Sequence, residues 1–258
     1  MISKNRIKYI HSLELKKNRK EKNEFIGEGP KLTSDLLKAF DCTYLAGTEK
    51  WMNEHQDTIK ELQQKNITVD TVSEEELKRA SLLQHPQEVI AVFKQPTYIV
   101  QTAETGRNTL CLALDGIQDP GNLGTIVRLA DWFGIKDIYC SPLTADIYNP
   151  KSVQATMGSM ARVRVHYVNL LDLLSNLSKD IPVYATLLDG KDLYEQPLSA
   201  NGIIVMGNEG KGITPELRRL ITRHLFIPNY PKGTDTAESL NVAVATAIIC
   251  AEFRRRFN

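Results

Sequence analysis

Three clusters of glycine and polar residues hold the side chains best placed to do chemistry in this chain of 258 residues. The first is Asp119-Pro120-Gly121-Asn122-Leu123-Gly124, leading on to Arg128. The second is Gly207-Asn208-Glu209-Gly210-Lys211-Gly212. The third begins Ile227-Pro228-Asn229-Tyr230 and runs through Gly233 to Ser239-Leu240-Asn241. Glycines let a backbone approach a ligand closely. Each cluster follows a strand-like run, and in open α/β sheets ligands bind outside the carboxyl ends of the strands. Ligand binding at these loops is the chemistry they point to. Two common nucleotide chemistries are disfavoured. A phosphate-binding loop ends in Gly-Lys-Ser/Thr, and Gly210-Lys211-Gly212 lacks the hydroxyl. Gly121-Asn122-Leu123-Gly124 lacks the three-glycine spacing of a dinucleotide site.

Each candidate also has a plainer reading. Ser239 and Asn241 open a run in which Leu240, Val242, Ala243, Val244, Ala245, Ala247, Ile248, Ile249, Cys250 and Ala251 leave almost no wet face. An ordinary surface helix carries one apolar stripe, so this helix is expected to be covered by its own domain and by another subunit. Free backbone N–H groups at its start could bind a ligand; alternatively Ser239 is simply an N-cap. On the helix after the first cluster, Ile126, Leu129, Ala130 and Phe133 form the apolar stripe. Arg128 lies roughly 200° round from Ile126 at about 100° per residue. It points away from its own sheet, towards solvent, a ligand or another subunit. The alternative is a surface ion pair with Asp131, three residues on. Asn122 also reads as a turn residue or cap, and Glu209 as a cap for the helix that follows.

The elements that must position these loops follow from apolar periodicity. Up to about residue 95, short helices (33–40, 49–64, and one opened by Ser73 with acids in its first turn) alternate with strands (43–46, 67–71, 89–93). Polar residues 101–108 read as a linker. Strands at 110–114, 136–140, 162–165, 183–187, 203–206 and 224–227 then alternate with helices at 125–133, 152–160, 170–178 and 215–221, and the long apolar helix closes the series. That alternation predicts a parallel sheet covered on both faces. The expected domains are 1–97, a linker at 98–107, and 108–258. A chain of this length builds a substantial core without staples. The net charge of +1 does not announce a nucleic-acid binder, although Lys16, Lys17, Arg19, Lys20 and Lys22 cluster near the start. Cys42, Cys111, Cys140 and Cys250 show no CxxC spacing and read as reduced core thiols of a cytosolic protein. His11, His55, His85, His166 and His224 are scattered without ligand spacing, so no metal is expected. No signal peptide or membrane span is visible.

In order and spacing, the three clusters resemble the three motifs of the SpoU (TrmH-type) RNA ribose methyltransferases of the SPOUT class. The first motif is matched by Asn122, Gly124 and Arg128. The second is matched by Gly207, Glu209 and Gly212. The third is matched by Ile227-Pro228 and Ser239-Leu240-Asn241-Val242-Ala243. The resemblance covers about residues 108–255. Residues Phe25-Ile26-Gly27-Glu28-Gly29, followed by a helix, resemble the L30e-like substrate-binding domain that precedes this catalytic domain in many members. The stretch from Pro228 to Ser239 is longer here than in many of them, with Tyr230, Pro231, Lys232, Gly233 and Asp235 inside it.

The resemblance implies an α/β fold whose C-terminal domain is a parallel sheet with a deep trefoil knot, preceded by a smaller L30e-like domain. It implies S-adenosylmethionine as cofactor, held by Thr186, Leu187, Gly207, Ile227 and Leu240. It implies a homodimer joined through the catalytic domain, and the cysteine pattern adds a cytoplasmic location. The implied reaction moves a methyl group to the 2′-hydroxyl of an RNA ribose, with Arg128, Asn122, Glu209, Ser239 and Asn241 as the catalytic set. Arginine stays protonated in proteins. Arg128 is therefore expected to bind the phosphate beside the target ribose and stabilise the developing alkoxide, while the other four orient it and the ribose. Lys16, Lys17, Arg19, Arg162 and Arg164 are expected to contact RNA phosphates. The N-terminal domain favours ribosomal (23S) RNA over tRNA as substrate, by analogy alone. The alternatives are a tRNA ribose methyltransferase, an RNA-binding knot protein without transfer activity, and a methyltransferase acting on a base or small molecule.

Overall fold

The computed structural model describes residues 1–231 and 237–257. Lys232, Gly233 and Asp235 of the third cluster lie outside the described residues. The chain forms two compact units, and their boundary does not follow chain order. One comprises residues 1–97 and 146–161; the other comprises 98–145 and 162–258.

The N-terminal unit starts with two helices, α1 (Lys4–Ser12) and α2 (Lys16–Lys22). There follow β1 (Glu24–Glu28), α3 (Pro30–Leu36), β2 (Cys42–Thr48), α4 (Glu49–Glu54), α5 (Gln56–Gln64), β3 (Thr68–Val72), α6 (Glu74–Ala80) and β4 (Val89–Lys94). The sheet order is β1-β4-β2-β3, with β4 antiparallel to both its neighbours and β2 parallel to β3. The caps explain several helix starts. Pro30 occupies the first turn of α3, where its missing N–H costs nothing. Ser73 and Glu76 form a reciprocal capping box at α6. The helix expected over 49–64 is broken at His55, which takes a non-helical conformation and stacks on Trp51. Phe25, Phe40 and Phe93 are buried together in the core.

Residues 146–161 join this unit although they fall between two strands of the other. Their helix, here numbered α8 (Pro150–Thr156), packs on β1. Tyr148 meets Phe25 with ring centroids 5.0 Å apart.

The C-terminal unit is built from β5 (Leu110–Asp115), α7 (Pro120–Trp132), β6 (Asp137–Cys140), β7 (Arg164–Tyr167), α9 (Leu170–Ser175), β8 (Val183–Asp192), β9 (Gly202–Gly207), α10 (Pro215–Arg218), β10 (Arg223–Phe226) and α11 (Val242–Arg256). Its six strands run parallel in the order β10-β8-β9-β5-β6-β7. Central strands β5 and β9 are buried almost end to end, as expected of a parallel sheet covered on both faces. Helix α11 packs against α7 and β9, and Phe253 meets Tyr184 edge-on. Val242, Ala243, Thr246, Ile249, Cys250 and Phe253 are buried, whereas Val244 and Ala251 are exposed and Ala245, Ala247 and Ile248 are half-buried. Within the chain, therefore, α11 is covered on one side and carries an apolar row on the other. Burial pushes the Cys250 thiol up to about 12 and the Cys42 thiol to about 11. All four cysteines are buried and unpaired. Among the described residues, no helix is long and apolar enough to cross a membrane.

Candidate active site

The three glycine-polar loops meet at the carboxyl ends of β5, β9 and β10. The first is not a loop throughout. Asp119 caps α7, its Oδ1 accepting from the Asn122 backbone N–H at 2.7 Å, and Pro120 takes the first helical position. The helix thus begins five residues before the expected Thr125, and Asn122 projects from its first turn. An Asp-Pro start signal was present in the sequence.

The second loop is a tight reversal held by Asn208. Asn208 and Gly212 exchange backbone hydrogen bonds at 3.0 and 2.8 Å. The Asn208 Oδ1 accepts from the Gly210 and Lys211 N–H groups, and its Nδ2 donates to the Gly116 carbonyl. A Cβ at Gly207 would lie 2.5 Å from the Gly212 carbonyl carbon, so no side chain fits there. Buried Asp115 accepts from the Thr214 N–H at 2.8 Å and fixes the loop's exit. Asn208 and Asp115 are structural groups outside the expected site set; an Asn among glycines is the turn signal that marks the first.

In the third loop, Asn241 rather than Ser239 caps α11. Its Oδ1 accepts from the N–H groups of Ala243 at 2.9 Å and Val244 at 3.3 Å. Asn is as good a cap as Ser, and it stands one residue before the helix. Ser239 is left exposed.

Side chains from all three loops then join. Asn122 donates through Nδ2 to Glu209 Oε1 at 2.7 Å, and its Oδ1 accepts from Asn241 Nδ2 at 3.0 Å. The carboxylate and two amides form one chain, each group fixing the next. Asn122 and Glu209 are 87 residues apart, and Asn122 and Asn241 are 119 apart. This arrangement can hold a hydroxyl in one orientation.

Beside this chain lies a cleft of about 540 Å³. Thr186, Leu187, Gly207, Ile227 and Leu240 all line it, as do Glu209 and Ser239. Met206 and Ile213 add apolar lining, and Asp189 and Arg218 form an ion pair within it. The wall at 186–190 exists because β8 and β10 slip register between His224 and Leu225, which throws five residues of β8 out of the pairing. A side chain at Gly190 would collide with the Leu225 carbonyl. No sequence signal predicted that slip.

Arg128 stands apart. It is exposed, as the helical geometry predicted, and it does not line the cleft. It sits six residues beyond Asn122, about 9 Å along the helix axis. Among the described residues, no hydrogen bond or ion pair holds its guanidinium. Asp131, the alternative partner, instead binds Arg162 through three hydrogen bonds of 2.7 to 3.0 Å.

The five arginines and lysines expected on RNA divide. Lys16 and Lys17 are exposed on α2. Arg162 and Arg164 are half-exposed, each paired with an aspartate, Asp131 and Asp137 respectively. Burial alone would push Asp137 up, but hydrogen bonds from His166 and Arg164 outweigh it and hold the carboxyl below its usual range. Arg19 is a correction. It is 2% exposed, bonded to Asp146 and to the carbonyls of Leu13 and Glu14. A side chain enclosed in that way does not reach a phosphate.

Comparison with known proteins fits this geometry. Residues 109–251 match the SpoU rRNA methylase family, and residues 4–91 match the MRM3-like substrate-binding domain. The chain is 32% identical over 252 residues to the 23S rRNA (guanosine(2553)-2′-O)-methyltransferase RlmP of Bacillus subtilis, covering 96% of each. It superposes on a TrmH-family protein from Porphyromonas gingivalis with a TM-score of 0.85 at 40% identity, covering 99% of both chains. It also superposes on the AdoMet-bound rRNA methyltransferase from Sinorhizobium meliloti with a TM-score of 0.88 at 29% identity, over 100% of this chain and 97% of the other.

Proposed function

The chain belongs to the SpoU rRNA methylase family, and from that premise we propose that it transfers a methyl group from S-adenosylmethionine to a ribose 2′-hydroxyl of large-subunit (23S) ribosomal RNA. The observation that carries this reading is the cleft at the strand ends with the Glu209–Asn122–Asn241 chain at its side. The residues present fit the cofactor. Leu187, Met206, Ile213, Ile227 and Leu240 offer an apolar bed for a purine, and the volume suits a small ligand. Gly207, where a Cβ has no room, lets backbone groups meet the ligand directly. Thr186, Leu187, Gly207, Ile227 and Leu240 would hold it. When bound, it supplies an electrophilic methyl group on a sulfonium.

The protein's part is to position and polarise the hydroxyl. Arg128 cannot serve as a base, because its guanidinium keeps its proton. Its fixed positive charge instead binds the phosphate next to the target ribose and stabilises the alkoxide as it forms. The proton passes to that phosphate. Asn122, Glu209, Ser239 and Asn241 orient the ribose, and alignment contributes much of the acceleration. Lys16 and Lys17 add non-specific attraction for the RNA backbone.

This reading carries three further expectations. The C-terminal unit is threaded as a deep trefoil knot. The uncovered row of α11, with Val244, Ile248 and Ala251, packs on a second copy in a homodimer. The protein works in the cytoplasm.

The test is transfer of labelled methyl from S-adenosylmethionine to total RNA from a strain lacking the gene, followed by sizing and digestion to nucleosides. A labelled 2′-O-methylnucleoside from the large ribosomal RNA is expected. Label confined to tRNA overturns the substrate. Label on a base overturns the site of transfer. Cofactor binding with no label in any RNA, including ribosomal particles, replaces the enzyme with an RNA-binding protein.

A further inference from the structure

Among the described residues, two cations line the cleft at the strand ends, Lys211 and Arg218. Arg218 is paired with Asp189, which lines the same cleft. Lys211 is exposed, and among the described residues no hydrogen bond or ion pair holds its ammonium. Its backbone is nonetheless fixed. The Asn208 Oδ1 accepts from the Lys211 N–H at 3.0 Å, and the backbone pairing of Asn208 with Gly212 closes the reversal around it. Gly210 and Gly212 flank Lys211, so neither neighbour has a side chain to cover its stem. The loop presents a single unpaired charge from a rigid base.

The position of that charge points to its ligand. Glu209, two residues earlier, is tied to Asn122 and through it to Asn241, the chain that can hold a hydroxyl in one orientation. In RNA, the carbon bearing the 2′-hydroxyl adjoins the carbon that carries the 3′-phosphate. A ribose hydroxyl held at that chain therefore brings a phosphate close to the loop. An ammonium is a compact point charge with three donors, which suits a phosphate oxygen. The carboxylate of S-adenosylmethionine is the competing anion. A pocket encloses most of a small ligand, whereas Lys211 is exposed although it lines the cleft. That exposure favours the larger ligand, whose backbone continues outside.

We propose that Lys211 binds a backbone phosphate of the RNA at the target nucleotide and so sets where the strand lies against the Glu209–Asn122–Asn241 chain. The inference rests on the methyl-transfer reading and adds to it an anchor for the strand on the second loop, separate from Arg128 on α7. The Lys211 charge acts in binding the RNA, not in the chemical step.

The full-length protein is titrated with large-subunit ribosomal RNA from a strain lacking the gene, over a series of salt concentrations. Lys211→Gln is expected to make the slope of log K against log salt shallower by about 0.7 to 0.9, the contribution of one neutralised phosphate. KM for the RNA should rise several-fold at low salt, while kcat and melting temperature stay near wild type. Lys211→Arg should restore both slope and KM. S-adenosylmethionine affinity, measured by calorimetry, should be unchanged in both variants. An unchanged salt slope in Lys211→Gln overturns the proposal. So does a loss of cofactor affinity with the slope unmoved, which would assign Lys211 to the cofactor's carboxylate. A fall in kcat with KM unmoved overturns it as well. If the wild type methylates no RNA, the methyl-transfer reading fails, and the salt slope still decides whether Lys211 meets a phosphate.

Discussion

The two units treat their charged residues differently. In the N-terminal unit, Arg19 is enclosed and, among the described residues, its guanidinium bonds to Asp146 and to backbone carbonyls. Glu28 is likewise buried, bonded to Ser81 and to the Leu82 N–H, and burial outweighs those bonds to push its carboxyl up. In the C-terminal unit, Arg128 projects outward without such partners among the described residues, while Glu209, Asn122 and Asn241 are tied to each other at the edge of an open cleft. The comparison separates two uses of polarity. A charge whose partners all come from its own fold stabilises that fold. A charge left facing outward, without partners from its own fold, is available to a ligand.

The largest effect is expected of Arg128→Ala. Loss of a charge that acts in the transition state is expected to lower kcat by about 10²- to 10³-fold. S-adenosylmethionine affinity, measured by calorimetry, and melting temperature should stay near wild type. A large loss of stability would place Arg128 with Arg19 instead.

The converse substitution is Arg19→Met. It leaves the Asp146 carboxylate and the Leu13 and Glu14 carbonyls without their Arg19 donor. Breaking a buried pair on one side is expected to cost about 3 kcal/mol of stability. Chemical denaturation followed by Trp51 emission checks this, and cofactor affinity in the other unit should not change.

Glu252 belongs to the C-terminal unit but is enclosed like Arg19, 5% exposed at the end of α11. The Arg255 hydrogen bond acts first, and with Arg256 it overcomes burial to hold the carboxyl at about 2. A folded value below the unfolded one contributes stability at neutral pH that is lost as pH falls from about 5 towards 2. Glu252→Gln should remove that part of the acid limb, so that the two stability–pH curves converge at low pH. Parallel curves would reassign the pair to the surface.

The smallest effect belongs to Lys16→Glu with Lys17→Glu. Both side chains are exposed on α2, so the fold should be unaffected. RNA binding should weaken several-fold at low salt, and the deficit should shrink as salt rises. A deficit independent of salt would argue against phosphate contact.

Much of this molecule is legible in its sequence because helices and strands answer to near neighbours. The alternation of apolar strands and amphipathic helices gave a parallel sheet, and the apolar stripe of α7 put Arg128 on the outside. Ser73 and Glu76, three apart, announced their capping box. The break at His55 and the early start of α7 differ from the periodic pattern for different reasons. A contact with Trp51 accompanies the first, whereas Asp119-Pro120 was a readable signal.

The order of the elements, the three loops at their ends and the direction of Arg128 are all written in local residue spacing. Each depends on residues within about four positions, where spacing fixes geometry. Packing between distant segments set the rest. It joined Asn122 to Glu209 and Asn241, opened the cleft through the slip between β8 and β10, drew residues 146–161 into the N-terminal unit, and enclosed Arg19 beside Asp146. These outcomes turn on contacts between residues tens to more than a hundred positions apart. Burial and bonding at such distances are set by packing, which no local spacing encodes.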